Sequence, residues 1–188
     1  MLGSDGERAA LDAAQAGDPA ALHGLLRRHV GPLLALARRV LRGDHHRSED
    51  LVQETLLAAC RSLDRFRGEA AVRTWLFRIL IRLAADPRRF CRGRLPTSVG
   101  EPCDVPDAFT PDPPHSSLAR ELRHRLDEAL ERLPDRQRAA LHLRAVEGMG
   151  YGAIAEVLGG TPGAARMMVL AARRNLRQRL GSYLEDLP

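Results

Sequence analysis

One segment of the sequence differs sharply from everything around it. Residues 95–117 read LPTSVGEPCDVPDAFTPDPPHSS and carry four acidic residues but no arginine, although the chain holds 29 basic residues. A segment so rich in proline, serine and aspartate cannot bury enough apolar surface to fold alone. We therefore expect a flexible acidic linker between two separately folded parts.

Helical signals occur on both sides of this linker. Asp18 is typical of a helix N-cap, with proline at the first helical position, and Gly31-Pro32 predicts a break between two short helices. Two more helices are expected before the linker and four after it. The expected ranges are 19–30, 32–42, 44–66, 69–86, 118–133, 134–147, 151–158 and 162–184.

Composition supports a helical fold. Aromatic residues make up only 4% of the chain, while alanine, leucine and arginine are abundant, which favours helices over β-sandwiches and barrels. A length of 188 residues allows two small domains. We predict an all-α protein with an N-terminal tail over 1–18, a first helical domain over 19–94, the linker over 95–117 and a second helical domain over 118–188.

The charge of the chain is consistent with a nucleic-acid partner. The net charge is +5, and every basic residue is arginine, whose planar guanidinium group suits phosphates and base edges. The coding bias of a GC-rich genome explains the same composition. The placement of the arginines must therefore decide between the two explanations.

Several classes of protein are disfavoured. The sequence has neither an apolar run long enough to span a bilayer nor a signal peptide, so we expect a cytoplasmic protein without membrane insertion. The histidines lack metal-ligand spacing, and there is no glycine-rich phosphate loop, so we expect no metal, no cofactor and no enzyme activity. Cys60 is predicted to be a core residue, and a redox pair of Cys91 and Cys103 is a minor alternative.

Three segments resemble one family. They are SEDLVQETLLAACRSLDRF, FRGEAAVRTWLFRI and LERLPDRQRAALHLRAVEGMGYGAIAEVLGGTPGAARMMVLAARRNLRQRL. Together they resemble regions two and four of extracytoplasmic-function (ECF) sigma factors, which are bacterial transcription initiation factors. The resemblance implies binding to core RNA polymerase and to promoter DNA that the protein recognises and melts, and it allows an anti-sigma factor as a further partner. The alternative is a sigma-like or helix-turn-helix regulator that acts mainly through protein contacts or duplex DNA binding.

The resemblance assigns a polymerase surface to the helix expected over 44–66. Polar residues lie there at helical spacings beside an apolar stripe, and this arrangement suits contact with a partner helix. From the residues alone, a solvated face is the better explanation. The predicted polymerase-binding residues are Asp50, Gln53, Glu54 and Arg61.

The resemblance also implies that the loop around Gly68 and the following helix hold an unpaired base of the minus-ten element. Trp75 is either a stacking surface for that base or a core residue. Relatives usually carry asparagine at the position of Arg82, and their helix continues through the position of Pro87. The predicted DNA-binding residues in this region are Arg65, Arg67, Arg73, Trp75, Arg78, Arg82, Arg88 and Arg89.

The last predicted helix corresponds to the recognition helix for the minus-thirty-five element. Its spacing turns Ala165, Val169, Ala172 and Leu176 inward. The exposed methionine and leucine are explained by a protein partner, by thymine methyl groups, or by a rotated helix that buries both methionines. The predicted DNA-binding residues are Arg166, Met167, Leu170, Arg173, Arg174 and Arg177. The acidic linker is interpreted either as a nucleic-acid mimic inside the polymerase or as an ordinary tether.

Overall fold

The structure is a computed structural model that describes residues 5–86 and 117–185, and these residues form two compact units. Every regular element within them is helical, which confirms the all-α prediction. In the first unit, a 3₁₀ turn (Leu63–Arg65) lies between the third and the fourth helix. The helices of the first unit are α1 (Asp5–Gln15), α2 (Pro19–Val40), α3 (His45–Ser62) and α4 (Val72–Ala84). Those of the second unit are α5 (Ser117–Glu131), α6 (Asp135–Ala145), α7 (Tyr151–Leu158) and α8 (Pro162–Glu185).

The expected N-terminal tail over 1–18 is wrong for residues 5–15, which form α1. This helix packs on α2 and buries Leu11 and Ala14. A helix of 11 residues is marginal in isolation, so packing against α2 supplies most of its stability. Because only these two apolar side chains of α1 are buried, the apolar periodicity of this segment is too weak to predict a helix from the sequence.

The expected helix break at Gly31-Pro32 is also wrong, because α2 is continuous from Pro19 to Val40. Proline in a helix interior removes one backbone hydrogen bond and costs about 3 kcal/mol. The apolar stripe nevertheless continues in register past Pro32, and burial of five apolar side chains on one face offsets that cost. The buried residues of α2 are Leu25, Leu26, His29, Leu33, Leu36 and Ala37.

The remaining helix limits in the first unit lie close to the predicted ones. Asp44 caps α3 by accepting a hydrogen bond from the backbone N–H of Arg47 at 3.1 Å. The predicted third helix ends earlier than expected, at Ser62, and its last turn becomes the 3₁₀ turn. The predicted fourth helix is shorter at both ends. Residues 66–71 therefore form a longer loop between α3 and α4 than the sequence indicates.

The second unit follows the prediction closely. Buried Arg138 closes the α5–α6 turn by donating to the carbonyl oxygens of Glu131 and Leu133 and to Asp135 Oδ1. Gly150 serves as the N-cap of α7, where glycine is well tolerated. Gly152 lies inside α7, where glycine costs about 0.5–1 kcal/mol relative to alanine.

Candidate nucleic-acid interface

One face of α4 carries the predicted promoter-contacting side chains. Trp75, Arg78 and Arg82 lie at i, i+3 and i+7, so they share a face of the helix. Both arginines are exposed, and Trp75 is half-buried. Arg65 and Arg67, which lie just before and within the loop between α3 and α4, are exposed as well. Four of the five arginines expected around Gly68 therefore reach the surface.

Trp75 packs against an aromatic neighbour. Its ring stacks on the buried Phe66 ring with a centroid distance of 4.6 Å and an interplanar angle of 28°. Phe66 covers part of the indole, and the rest of Trp75 stays partly accessible. The ring is therefore anchored in the unit, and its accessible part borders the basic surface.

Arg73 does not belong to this basic surface. It lies four residues before Phe77 and seven before Leu80, on the face of α4 that enters the core. Its guanidinium carbon is 5.5 Å from the centre of the Phe77 ring. Burial lowers the pKa of Arg73, against the raising effect of the Glu7 carboxylate. Arg73 is half-buried, and its DNA contact stays a prediction.

The α3–α4 loop is held by α1. Gln15 Nε2 donates to the carbonyl oxygens of Leu63 at 2.9 Å and Phe66 at 2.8 Å. Gly68 has a φ of +70°, which glycine adopts without strain. A cleft of about 150 Å³ separates the loop from α1. The sequence indicated nothing of this arrangement, because Gln15 lies within the region expected to be a tail.

A second contact joins α1 to α2. His29 Nε2 lies 3.1 Å from Glu7 Oε1, and both side chains are largely buried. Desolvation lowers the pKa of His29 below its ordinary value of 6.5, and the Glu7 carboxylate opposes this shift only in part. The pair ties the N-terminal half of α1 to the core.

The predicted polymerase-contacting residues share one face of α3. Asp50, Gln53, Glu54 and Arg61 are all exposed, while the opposite side buries Leu51, Val52, Thr55 and Ala59. Leu57 belongs to the same outward face and is 55% exposed. The sequence analysis missed it, although its i+3 spacing from Glu54 was the available signal. Cys60, expected in the core, is exposed.

The second unit presents the outward face of α8. Ala165, Val169 and Ala172 are fully buried, and Leu176 is half-buried. Met167 is 63% exposed and Leu170 is 42% exposed, so the explanation by a rotated helix that buries both methionines is wrong. Four arginines surround these apolar side chains and are exposed. They are Arg166, Arg173, Arg174 and Arg177.

Three contacts set the position of α8. Thr161 Oγ1 accepts a hydrogen bond from the backbone N–H of Ala164 at 3.2 Å, which caps the helix. Arg136 of α6 donates to the carbonyl oxygens of Leu158 and Gly159 at 2.7 and 2.8 Å. Asn175 donates to Gln137 of α6 at 3.2 Å. The helix α6 thus contacts the start of the α7–α8 turn and the middle of α8.

Some predictions concern residues that the structure does not describe. Arg88, Arg89, Cys91, Cys103 and the linker over 95–117 lie outside the described ranges. Within residues 5–86 and 117–185, no group of three or more His, Cys, Asp or Glu side chains is arranged to hold a metal ion. None of the helices in these ranges combines the length and the hydropathy that crossing a bilayer requires.

The two units define a class of all-helical proteins built from two compact units, the second of which contains a helix-turn-helix. Residues 25–93 match the family model of Sigma-70 region 2, and residues 123–176 match that of Sigma-70 region 4. The chain belongs to the ECF sigma factors of this family. It is therefore a promoter-specific transcription initiation factor, and its partners are core RNA polymerase and promoter DNA.

Relatives cover nearly the whole chain. The RNA polymerase sigma-H factor of Pseudomonas aeruginosa is 29% identical, over 99% of this chain and 100% of the relative. The ECF RNA polymerase sigma-E factor of Haemophilus influenzae is 31% identical, over 93% of this chain and 95% of the relative. A similar solved structure is that of CnrH in complex with the cytosolic domain of CnrY. The matched chain is 28% identical in sequence, with a TM-score of 0.68, and the match covers 95% of this chain and 99% of that one.

The fold is also similar to that of the sigma factor RpoE from Bartonella quintana, solved in complex with the anti-sigma factor NepR. That chain is 24% identical, with a TM-score of 0.60 over 85% of this chain and 98% of that one.

Proposed function

We propose that three surfaces divide the work of transcription initiation in this sigma factor. The outward face of α3 binds core polymerase, the α3–α4 loop with the outward face of α4 binds the unpaired minus-ten element, and α8 binds the minus-thirty-five element. The observation that carries the proposal is the exposed set of arginines beside a half-buried tryptophan in the first unit. This combination is what single-stranded nucleic acid requires, since its phosphates and its base faces are both accessible.

The polymerase surface is proposed from its mixed chemistry. Glu54 and Gln53 flank Leu57, an apolar side chain that remains 55% exposed in the free protein. An exposed apolar centre with a polar rim is typical of a surface that another protein covers. Residues from α3 alone are sufficient to form it, so a single partner helix lying along α3 would cover the whole surface.

The minus-ten surface is proposed from the face shared by Trp75, Arg78 and Arg82. The accessible part of the indole offers a stacking surface, and the two guanidinium groups lie within one and two helical turns of it. Arg65 and Arg67 extend the positive charge into the loop. A flipped base on Trp75 would therefore have its flanking phosphates close to arginine.

The minus-thirty-five surface is proposed from α8. Arg166 lies in the second turn of the helix, near the end that enters the major groove in helix-turn-helix proteins. Met167 and Leu170 are surrounded by exposed arginines, so a surface that covers them also meets guanidinium groups. DNA satisfies both, since thymine methyl groups accept apolar contacts and phosphates accept arginine.

The test is transcription in vitro with purified core polymerase, run together with a core-binding assay. Glu54→Ala should weaken core binding, whereas Arg78→Ala should leave core binding unchanged and reduce promoter opening. Arg27→Ala is the matched control, because Arg27 is an exposed arginine of α2 outside all three surfaces. Equal loss of both activities in each variant contradicts the division of labour. Tight binding to duplex promoter DNA without core would instead support a repressor.

We also propose that the protein acts in the cytoplasm, is not an enzyme, and is regulated by a protein of the anti-sigma class. A similar chain, CnrH, is solved with the cytosolic domain of CnrY, which supports a protein partner for this chain. The measurement is the suppression of transcription when a purified candidate partner is added to the same reaction. Failure of every candidate that binds this chain to suppress transcription would contradict the regulatory part of the proposal.

A further inference from the structure

Gln15 is the residue through which α1 reaches the proposed promoter-binding loop. Its side-chain amide donates two hydrogen bonds, to the carbonyl oxygens of Leu63 and Phe66. These two residues are 48 and 51 positions away along the chain. The amide group has two N–H donors, and both carbonyls accept from the same nitrogen atom.

The two carbonyls lie where the loop leaves the 3₁₀ turn. Leu63 O also accepts the backbone N–H of Phe66 at 3.0 Å, so Gln15 closes onto a turn that is already formed. Phe66 is the residue whose ring stacks on Trp75, and Arg67 follows it directly. A shift of the Phe66 backbone therefore moves both the tryptophan environment and an exposed arginine.

The position of α1 is fixed independently of Gln15. Leu11 and Ala14 are buried against α2, and Glu7 contacts His29 two helical turns earlier. Gln15 is the last residue of the helix. Gln15 therefore holds the loop from a helix whose position is already fixed by Leu11, Ala14 and Glu7.

We propose that Gln15 is a positioning residue for promoter opening. It holds Phe66 and the start of the loop in the conformation in which Trp75 and Arg67 receive the unpaired minus-ten base. This inference rests on the proposed minus-ten surface. Gln15 itself touches the loop backbone, and its contribution to DNA binding passes through Phe66.

The experiment uses two matched substitutions in the full chain. Gln15→Met keeps the length of the side chain and removes both donors, whereas Gln15→Lys keeps a donor group of similar reach. Gln15→Glu is a second variant that removes the hydrogen bonds, because a carboxylate has only acceptor atoms and cannot donate to the two carbonyl oxygens. Arg27→Ala is again the control, since Arg27 is an exposed residue of α2 outside all three surfaces. Far-UV circular dichroism and core affinity establish that each variant is folded.

Two readouts are measured. The first is the fluorescence of the free protein, which reports on Trp75 alone because the chain has one tryptophan. The second is the affinity of the holoenzyme for a labelled single-stranded minus-ten oligonucleotide. For Gln15→Met we expect emission at longer wavelength with stronger acrylamide quenching, and affinity about thirtyfold weaker, as for the loss of two hydrogen bonds of average strength. Gln15→Glu should behave in the same way. Gln15→Lys should restore both readouts, and Arg27→Ala should change neither.

Other outcomes overturn the inference. Unchanged emission with weaker oligonucleotide binding means that Gln15 acts on DNA without positioning Phe66. Changed emission with unchanged binding means that the loop conformation does not matter to the promoter. If the wild-type holoenzyme does not bind the oligonucleotide, the minus-ten surface itself is wrong. If the wild type binds and Gln15→Met matches it in both readouts, only the role of Gln15 is wrong.

Discussion

Leu57 offers a quantitative test of the polymerase surface. Full burial of a leucine side chain is worth about 1.5–3 kcal/mol relative to full exposure. Leu57 is 55% exposed, so a partner that covers the rest gains about 0.8–1.7 kcal/mol from it. This gain corresponds to a factor of about 4 to 15 in Kd. Because alanine keeps the β-carbon, Leu57→Ala should weaken core binding by about three- to tenfold.

The assay is a titration of labelled sigma factor with core polymerase at fixed salt. Leu122→Ala is the control, since Leu122 is a 40% exposed leucine on a helix of the other unit. Unchanged affinity of Leu57→Ala beside a weakened Glu54→Ala would show that the apolar centre of the surface is not covered. Unchanged affinity of both variants would refute the placement of the polymerase surface on α3.

Three further predictions concern stability and DNA binding. Because the folded-state pKa of His29 is lowered, the unfolded chain binds more protons, and the free energy of unfolding should fall as pH drops below about 6.5. Glu7→Gln should steepen this fall, since it removes the carboxylate that raises the pKa of His29. The free energy of unfolding is measured by urea denaturation at about pH 7.5 and pH 5.5, and an equal loss between the two pH values in the wild type and in Glu7→Gln would contradict this. Gly24→Ala should add about 0.5–1 kcal/mol in urea denaturation, because Gly24 lies inside α2 and its added Cβ meets no other part of the unit within 4 Å; a loss of stability would contradict it. Arg173→Ala should weaken holoenzyme binding equally across promoter sequences and lower the salt slope by about 1, whereas Arg166→Ala should relax the minus-thirty-five preference; the reverse pattern would exchange their roles.

The sequence predicted those parts of the fold that depend on local signals. The helices of the second unit begin and end at proline, glycine and threonine residues whose backbone preferences act within a few positions. The outward face of α8 followed from a clean periodicity of small and β-branched residues. Asp18 and Asp44 mark helix starts by the same local chemistry, since each accepts backbone N–H groups from the first turn of its helix.

The features that the sequence did not predict depend on distant contacts. The helix α2 continues past Pro32 because an unbroken helix buries its apolar residues on both sides of the proline. The local preferences of proline do not include this contribution from the core. The helix α1 exists because α2 offers a surface for Leu11 and Ala14. Arg73 was assigned to DNA from its nearness to Gly68 in the chain, but helical spacing turns it toward Phe77 and the core. Gln15 has no partner within its own neighbourhood in the sequence.

The hydrogen bonds from Arg136 to Leu158 and Gly159 have a consequence for protein engineering. They place part of the alignment of α8 in α6, outside the helix-turn-helix formed by α7 and α8. A graft of α7 and α8 alone onto another scaffold would carry the outward side chains of α8 without the hydrogen bonds from Arg136 that help to set the orientation of the helix. A module that keeps this alignment must therefore include α6 as well as α7 and α8.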